Sequence, residues 1–108
     1  MNLDQKYFDF ISEGKKTFEG RLLSDKNKSL SIGDWILFRC GPRSIRVRID
    51  SIHIFRTYEE AMKILDFKKM VPDAKTPEEA IRVYERYYPL EKQLENKICV
   101  FGITLVGD

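Results

Sequence analysis

The stretch Ser44–Phe55 (SIRVRIDSIHIF) constrains the fold more than any other. Along an extended chain Ile45, Val47 and Ile49 share one face and Arg46 and Arg48 the other. Past Asp50 and Ser51 the apolar positions move to Ile52 and Ile54, a slip of one residue in a period of two. Such a slip predicts a bulge or bend, a common device for curling a sheet toward a barrel. Gly41-Pro42 predicts a turn from a preceding strand, Trp35–Arg39. Lys97–Val106, with Ile98, Val100, Ile103 and Leu105, predicts the closing strand.

Helical patterns surround these strands. Leu3, Tyr7, Phe8 and Ile11 form a stripe over Asp4–Glu13, and Gly14 supplies the stop. Thr57-Tyr58-Glu59-Glu60 and Thr76-Pro77-Glu78-Glu79 are capping boxes, the second with proline at the first helical position. The first opens a helix carrying Ala61, Ile64 and Leu65. The second opens one presenting Ala80, Ile81, Tyr84 and Tyr88, and Pro89 ends it. Met70–Lys75 connects them, and Leu22–Ser29 reads as a polar, basic loop. At 108 residues these elements predict a single domain, 1–108, of mixed α/β (α+β) class with a curved, mainly antiparallel sheet.

Composition narrows the function classes. No apolar run approaches the ~20 residues that span a bilayer, and the N-terminus lacks the character of a signal peptide, so a cytoplasmic protein with no membrane partner is expected. Cys40 and Cys99 lie far apart and His53 is the single histidine, a set without zinc-ligand spacing. No metal and no cofactor are expected, and both thiols read as free. Residues 1–56 carry 11 basic and 7 acidic side chains, residues 57–108 carry 8 and 10, so the first half is the better surface for an anion.

The densest polar chemistry is Gly14-Lys15-Lys16-Thr17-Phe18-Glu19-Gly20-Arg21. Read as a strand over Thr17–Arg21, it puts Glu19 and Arg21 on one face and Phe18 on the other. A helix running into this stretch, followed by Ser31-Ile32-Gly33-Asp34 and the apolar strand Trp35-Ile36-Leu37-Phe38, resembles the ASCH domain family. Phe67–Pro89 likewise resembles the two-helix segment of short prokaryotic members. The resemblance implies a PUA-like fold, a curved β-barrel with helices packed around it.

Some small proteins of this kind are amidohydrolases that remove the acetyl group from N4-acetylcytidine. Their lysine, the threonine three residues later and the glutamate before the last helix fall by position on Lys16, Glu19 and Asp73. Glu19 thus stands where the pattern has a nucleophilic hydroxyl, and Thr17 is on the wrong offset to replace it. If the chain is an enzyme, Lys16, Glu19 and Asp73 are its catalytic residues, with a carboxylate orienting water.

The leading expectation is a small RNA- or nucleotide-binding module. Lys15, Lys16, Glu19, Arg21 and Asp73 would line a polar cleft for a base or modified nucleoside. Arg39, Arg43, Arg46 and Arg48 would form a basic strand face for phosphates, or else a solvated outer surface. Trp35 and Phe38 are expected in the core. Tyr84, Tyr87 and Tyr88 also read as core at helical spacing, with Tyr87 or Tyr88 placed to border the cleft. The partner would be RNA or a nucleoside or nucleotide, and the protein a monomer or weak dimer.

Overall fold

Among the residues described by the computed structural model, Met1–Gly107, the chain forms six helices and four strands. Asp108, the last residue of the predicted domain, lies outside them. In chain order they are α1 (Gln5–Ser12), β1 (Phe18–Leu22), α2 (Asp25–Lys28), β2 (Trp35–Cys40), β3 (Arg43–Phe55), α3 (Tyr58–Ile64), α4 (Phe67–Met70), α5 (Pro77–Tyr87), α6 (Leu90–Asn96) and β4 (Ile98–Leu105). The strands form one sheet of order β1-β4-β3-β2, antiparallel at every step.

The phase slip in β3 is a real irregularity. Its pairing with β4 shifts between Ile49 and Ser51, so Val47 and Ile49 face the core before the shift and Phe55 after it. Gly102 lies opposite. A methyl group on it would approach the Ser51 hydroxyl to 2.2 Å, so glycine is what lets the bulged strand close on β4. The curl brings β1 and β2, the two edges, toward one another. The N-terminal segment occupies the gap: Leu3 N–H donates to Arg39 O at 2.9 Å, Arg39 N–H to Met1 O at 2.8 Å, and Arg21 on β1 to Asn2 O at 3.0 Å. The expected mixed α/β architecture is therefore formed, as a half-barrel closed by a strap rather than by a further ladder.

β4 is the spine. Ile98–Ile103 are all buried because the strand is covered on both faces. Ile98 and Val100 face one apolar cluster with Tyr58, Ala61, Met70 and Tyr84. Cys99, Phe101 and Ile103 face the other with Ile11, Phe38, Val47 and Ile49. At about 1.5–3 kcal/mol per fully buried large side chain, this two-sided strand contributes much of the hydrophobic stabilisation.

The caps form as expected: Thr57 accepts from Glu60 N–H and Thr76 from Glu79 N–H, each at 3.2 Å. Gly14 ends α1 with φ 78°, and Gly41 with φ 58° opens the two-residue turn between β2 and β3. Four details differ from expectation. Leu22–Ser29 contains the short α2, and Ile64 is exposed, with Met62 taking the buried position in α3. Phe38 is fully buried, but Trp35 is 56% exposed. Trp35 alternates out of phase with Ile36 and Phe38, and the Arg46 guanidinium lies over its ring at 5.1 Å. Last, a helix, α6, occupies the stretch between Pro89 and β4.

Candidate functional site

β1 is an edge strand with a polar centre. Glu19 is opposite Phe101, Gly20 opposite Val100 and Arg21 opposite Cys99. On the Val100 side a side chain at position 20 is excluded, because a methyl there would lie 2.6 Å from Tyr58 and 3.0 Å from Tyr84. The two rings stack at 4.3 Å between centroids directly against the bare strand. The absence of a side chain at Gly20 lets the α5 tyrosine reach the charges of β1. Tyr84 Oη accepts from Gly20 N–H at 3.3 Å and donates to Glu19 Oε1 at 3.4 Å.

Lys16 completes the group. It is 3% exposed and Glu19 4%. Lys16 Nζ donates to Phe18 O at 2.8 Å, Met70 O at 2.6 Å and Tyr84 Oη at 3.0 Å, and lies 3.5 Å from Glu19 Oε1. Three donors have three close acceptors. Burial lowers the pKa of Lys16 and the Glu19 carboxylate opposes that shift. Two backbone carbonyls on the ammonium make Lys16 a fixed donor and a structural clasp between β1 and the end of α4. On the other side of the carboxylate, Arg21 Nη2 lies 3.4 Å from Glu19 Oε2. Arg21 Nε is buried without a hydrogen-bond partner, a donor left over inside the site.

These charges floor a cavity of about 180 Å³. Its walls are aromatic and apolar: Tyr7 from α1, Tyr84 and Tyr87 from α5, Tyr88 just beyond it, and Val71 and Val83. Asn2 and Asp4 bring the N-terminal strap to the rim, where the Tyr87 hydroxyl donates to Asp4 Oδ2 and the Tyr7 and Tyr87 rings meet edge to face at 6.4 Å. Burial raises the pKa of Tyr84 well above its ordinary value, so it stays a neutral phenol that both donates and accepts.

Of the residues singled out in the sequence, Lys16, Glu19 and Arg21 are thus brought together at one cavity. Asp73 lies outside its lining, exposed and ion-paired with Lys6 on α1. Lys15 also lies outside, pairing with Glu13 at 3.1 Å. Tyr7, Gly20 and Tyr84 are the contributors that hydrophobic spacing alone assigned to the core or passed over. The one available signal was a glycine in mid-strand, which marks close approach of another group to the backbone.

The arginines divide between two faces. The register Trp35↔Arg48, Leu37↔Arg46 and Arg39↔Ser44 puts Arg39, Arg46 and Arg48 on the exposed face with Trp35 and Leu37. Arg48 pairs there with Asp50 at 3.0 Å. Arg43 has the opposite parity, over the Phe8 ring at 4.6 Å and 3.1 Å from Asp9. A second cavity, about 530 Å³, lies next to the first. Arg39, Lys26 and Arg21 line it, and it shares Asn2, Arg21 and Tyr88 with its neighbour. Among the described residues no group of three histidine, cysteine, aspartate or glutamate side chains could hold a metal ion, and no helix is long and apolar enough to cross a membrane.

Fold and site together define a small α/β domain with a half-barrel sheet and a pocket floored by buried charge. Residues 1–106 match the ASCH domain, and the chain belongs to the ASCH domain family. The crystal structure of hypothetical protein PH0355 superimposes with a TM-score of 0.90 at 27% identity, covering 98% of this chain and 96% of that one. The solution structure of protein PF0455 from Pyrococcus furiosus gives a TM-score of 0.78 at 27% identity, covering 100% of both chains. No curated protein matches the chain at a significant level.

Proposed function

We propose that the protein is an RNA- or nucleotide-binding ASCH module that receives a single pyrimidine base in the tyrosine-walled cavity. The observation that carries this reading is a carboxylate and a guanidinium side by side on the floor of an aromatic cavity. A cytosine edge presents an amino donor beside ring-nitrogen and carbonyl acceptors. Glu19 is the acceptor for the amino group, and Arg21, with its unpartnered Nε, is the donor for the other two. Unstacked bases bound by proteins rest on aromatic faces, and Tyr7, Tyr84, Tyr87 and Tyr88 supply them. Size favours one ring over two, since a cavity of roughly 150 Å³ is enough for benzene. The exposed Arg46 and Arg48, with Trp35 beside them on β2, give the sequence-independent part of the affinity.

The hydrolytic alternative, with Lys16 as base and Glu19 or Asp73 orienting water, is less well supported. It would require Lys16 to leave two carbonyls and a phenol, and Asp73 to leave Lys6. The experiment is a titration of labelled single-stranded hexamers of cytidine, uridine and adenosine at two salt concentrations. The cytidine hexamer binds at least tenfold tighter than the adenosine hexamer at both, and the uridine hexamer, whose O4 carbonyl replaces the amino donor, binds more weakly than the cytidine hexamer. Equal binding of all three would remove the base-reading role, and incubation with N4-acetylcytidine that releases cytidine in a Lys16-dependent way would replace it with hydrolysis.

A further inference from the structure

We propose that the second cavity is a phosphate subsite, so that the preferred ligand is a phosphorylated pyrimidine nucleoside rather than the free nucleoside. The inference rests on the base reading of the first cavity and adds a second point of attachment. Three cationic side chains line this space: Arg21 from β1, Lys26 from α2 and Arg39 from β2. No carboxylate lines it, and among the described residues neither Lys26 nor Arg39 forms an ion pair. By contrast Lys6, Lys15, Arg43 and Arg48 each meet an acid.

The three charges converge on one volume. The amino group of Met1, which also lines the cavity, has its pKa lowered by burial first and then by Arg21, Lys26 and Arg39 together. The short helix carrying Lys26 is held in place: Asn27 Nδ2 donates to Leu22 O at 2.7 Å, and Ser24 Oγ accepts from Asn27 N–H at 3.3 Å. A phosphate monoester carries about −1.5 to −2 at neutral pH and offers three strong acceptor oxygens. Arg39 supplies a planar two-point donor and Lys26 a point charge. A base over Glu19 and Arg21 would pass its sugar across Asn2 and Tyr88, which with Arg21 are common to both cavities, and deliver its phosphate to Lys26 and Arg39.

Calorimetric titration of the intact protein at low salt tests this with cytidine, cytidine 5′-monophosphate, cytidine 3′-monophosphate, the dinucleotide CpC and ribose 5-phosphate. One monophosphate or CpC binds at least tenfold tighter than cytidine, and the paired substitution Lys26→Ala with Arg39→Ala brings it down to the affinity of cytidine. Which of them gains identifies a free nucleotide or an RNA chain as the source of the phosphate. Phosphorylated ligands no tighter than cytidine, or a gain that survives the paired substitution, overturns the subsite and leaves the base reading intact. Binding of ribose 5-phosphate that needs Lys26 and Arg39, with no binding of cytidine, supports the subsite and overturns the base reading. Failure of every ligand overturns both.

Discussion

Lys16 and Tyr84, 68 residues apart, are joined by a 3.0 Å hydrogen bond in the floor of the cavity. The bond ties the turn after α1 to α5 across the edge strand, and both side chains also reach Glu19. The site is therefore a cross-link of the fold as well as the proposed recognition surface.

Removing one member of a buried ion pair strands the other. Lys16→Met leaves the Glu19 carboxylate with Arg21 as its remaining cation, and a loss of about 3–5 kcal/mol is expected. Lys16→Met combined with Glu19→Gln should lose less than the sum of the two single changes. Denaturant melts of the four proteins in a double-mutant cycle check this, and strict additivity would mean that the two groups do not interact.

Gly20→Ala is a steric test of the same region. Its methyl would press into two stacked rings that are themselves buried, so they cannot swing away. Overpacking of this kind costs about 1–3 kcal/mol. The substitution should also weaken ligand binding, because the Tyr84 hydroxyl is displaced from Glu19. A variant as stable as the parent would show that the rings yield.

Much of this architecture is legible in the sequence, because it follows from backbone period and local caps. The bulge at Asp50 and Ser51, the caps at Thr57 and Thr76 and the Gly14 stop each announce themselves in a few residues. α6 does not. Its leucines, Leu90 and Leu94, are half exposed, and its buried residue is Gln93, which accepts from Tyr58 N–H at 2.9 Å and donates to Tyr88 O at 2.8 Å. A helix held by one polar side chain leaves no apolar stripe to find. Trp35 departs from expectation for a related reason: size argues for burial, but strand parity and the Arg46 stack decide its place. Strand alternation puts Glu19 and Arg21 on one face and the family resemblance adds Lys16, whereas Tyr84 arrives from a distant helix and no local pattern encodes that.

Alkaline pH should unfold the protein cooperatively. Burial raises the pKa of Tyr58, Tyr84 and Tyr88 above the ordinary phenol value of 10. A folded pKa above the unfolded one stabilises fully below pH 10, and that stability is lost as pH rises toward the folded values. Lys16, shifted the other way, gains stability up to its unfolded value of 10.5 and so opposes the loss below that pH. Burial raises Tyr7 and Tyr87 as well, so tyrosinate absorbance at about 295 nm should appear for all five phenols only with the unfolding transition. A gradual ionisation of all five tyrosines with intact circular dichroism would contradict this.

The two thiols should separate by accessibility. Cys99 sits on β4, and burial pushes its thiol up to about 11. At pH 8 an alkylating reagent should label Cys40 in the native protein and reach Cys99 only in denaturant. Native labelling of both at similar rates would mean that β4 opens readily.

On the outer face, Arg46→Glu with Arg48→Glu removes two candidate phosphate contacts beside Trp35. Affinity for a short RNA should fall, and the slope of log affinity against log salt should drop by about 2. An unchanged slope would place the RNA elsewhere.

Whether Glu19 reads the donor edge of a base is decided by calorimetric titration of cytidine into the parent protein and Glu19→Gln. Saturable one-to-one binding to the parent and at least a tenfold loss in the variant are expected, with a thermal melt confirming that the variant is folded. Equal affinity for both proteins, or no heat from the parent at millimolar cytidine, would contradict it.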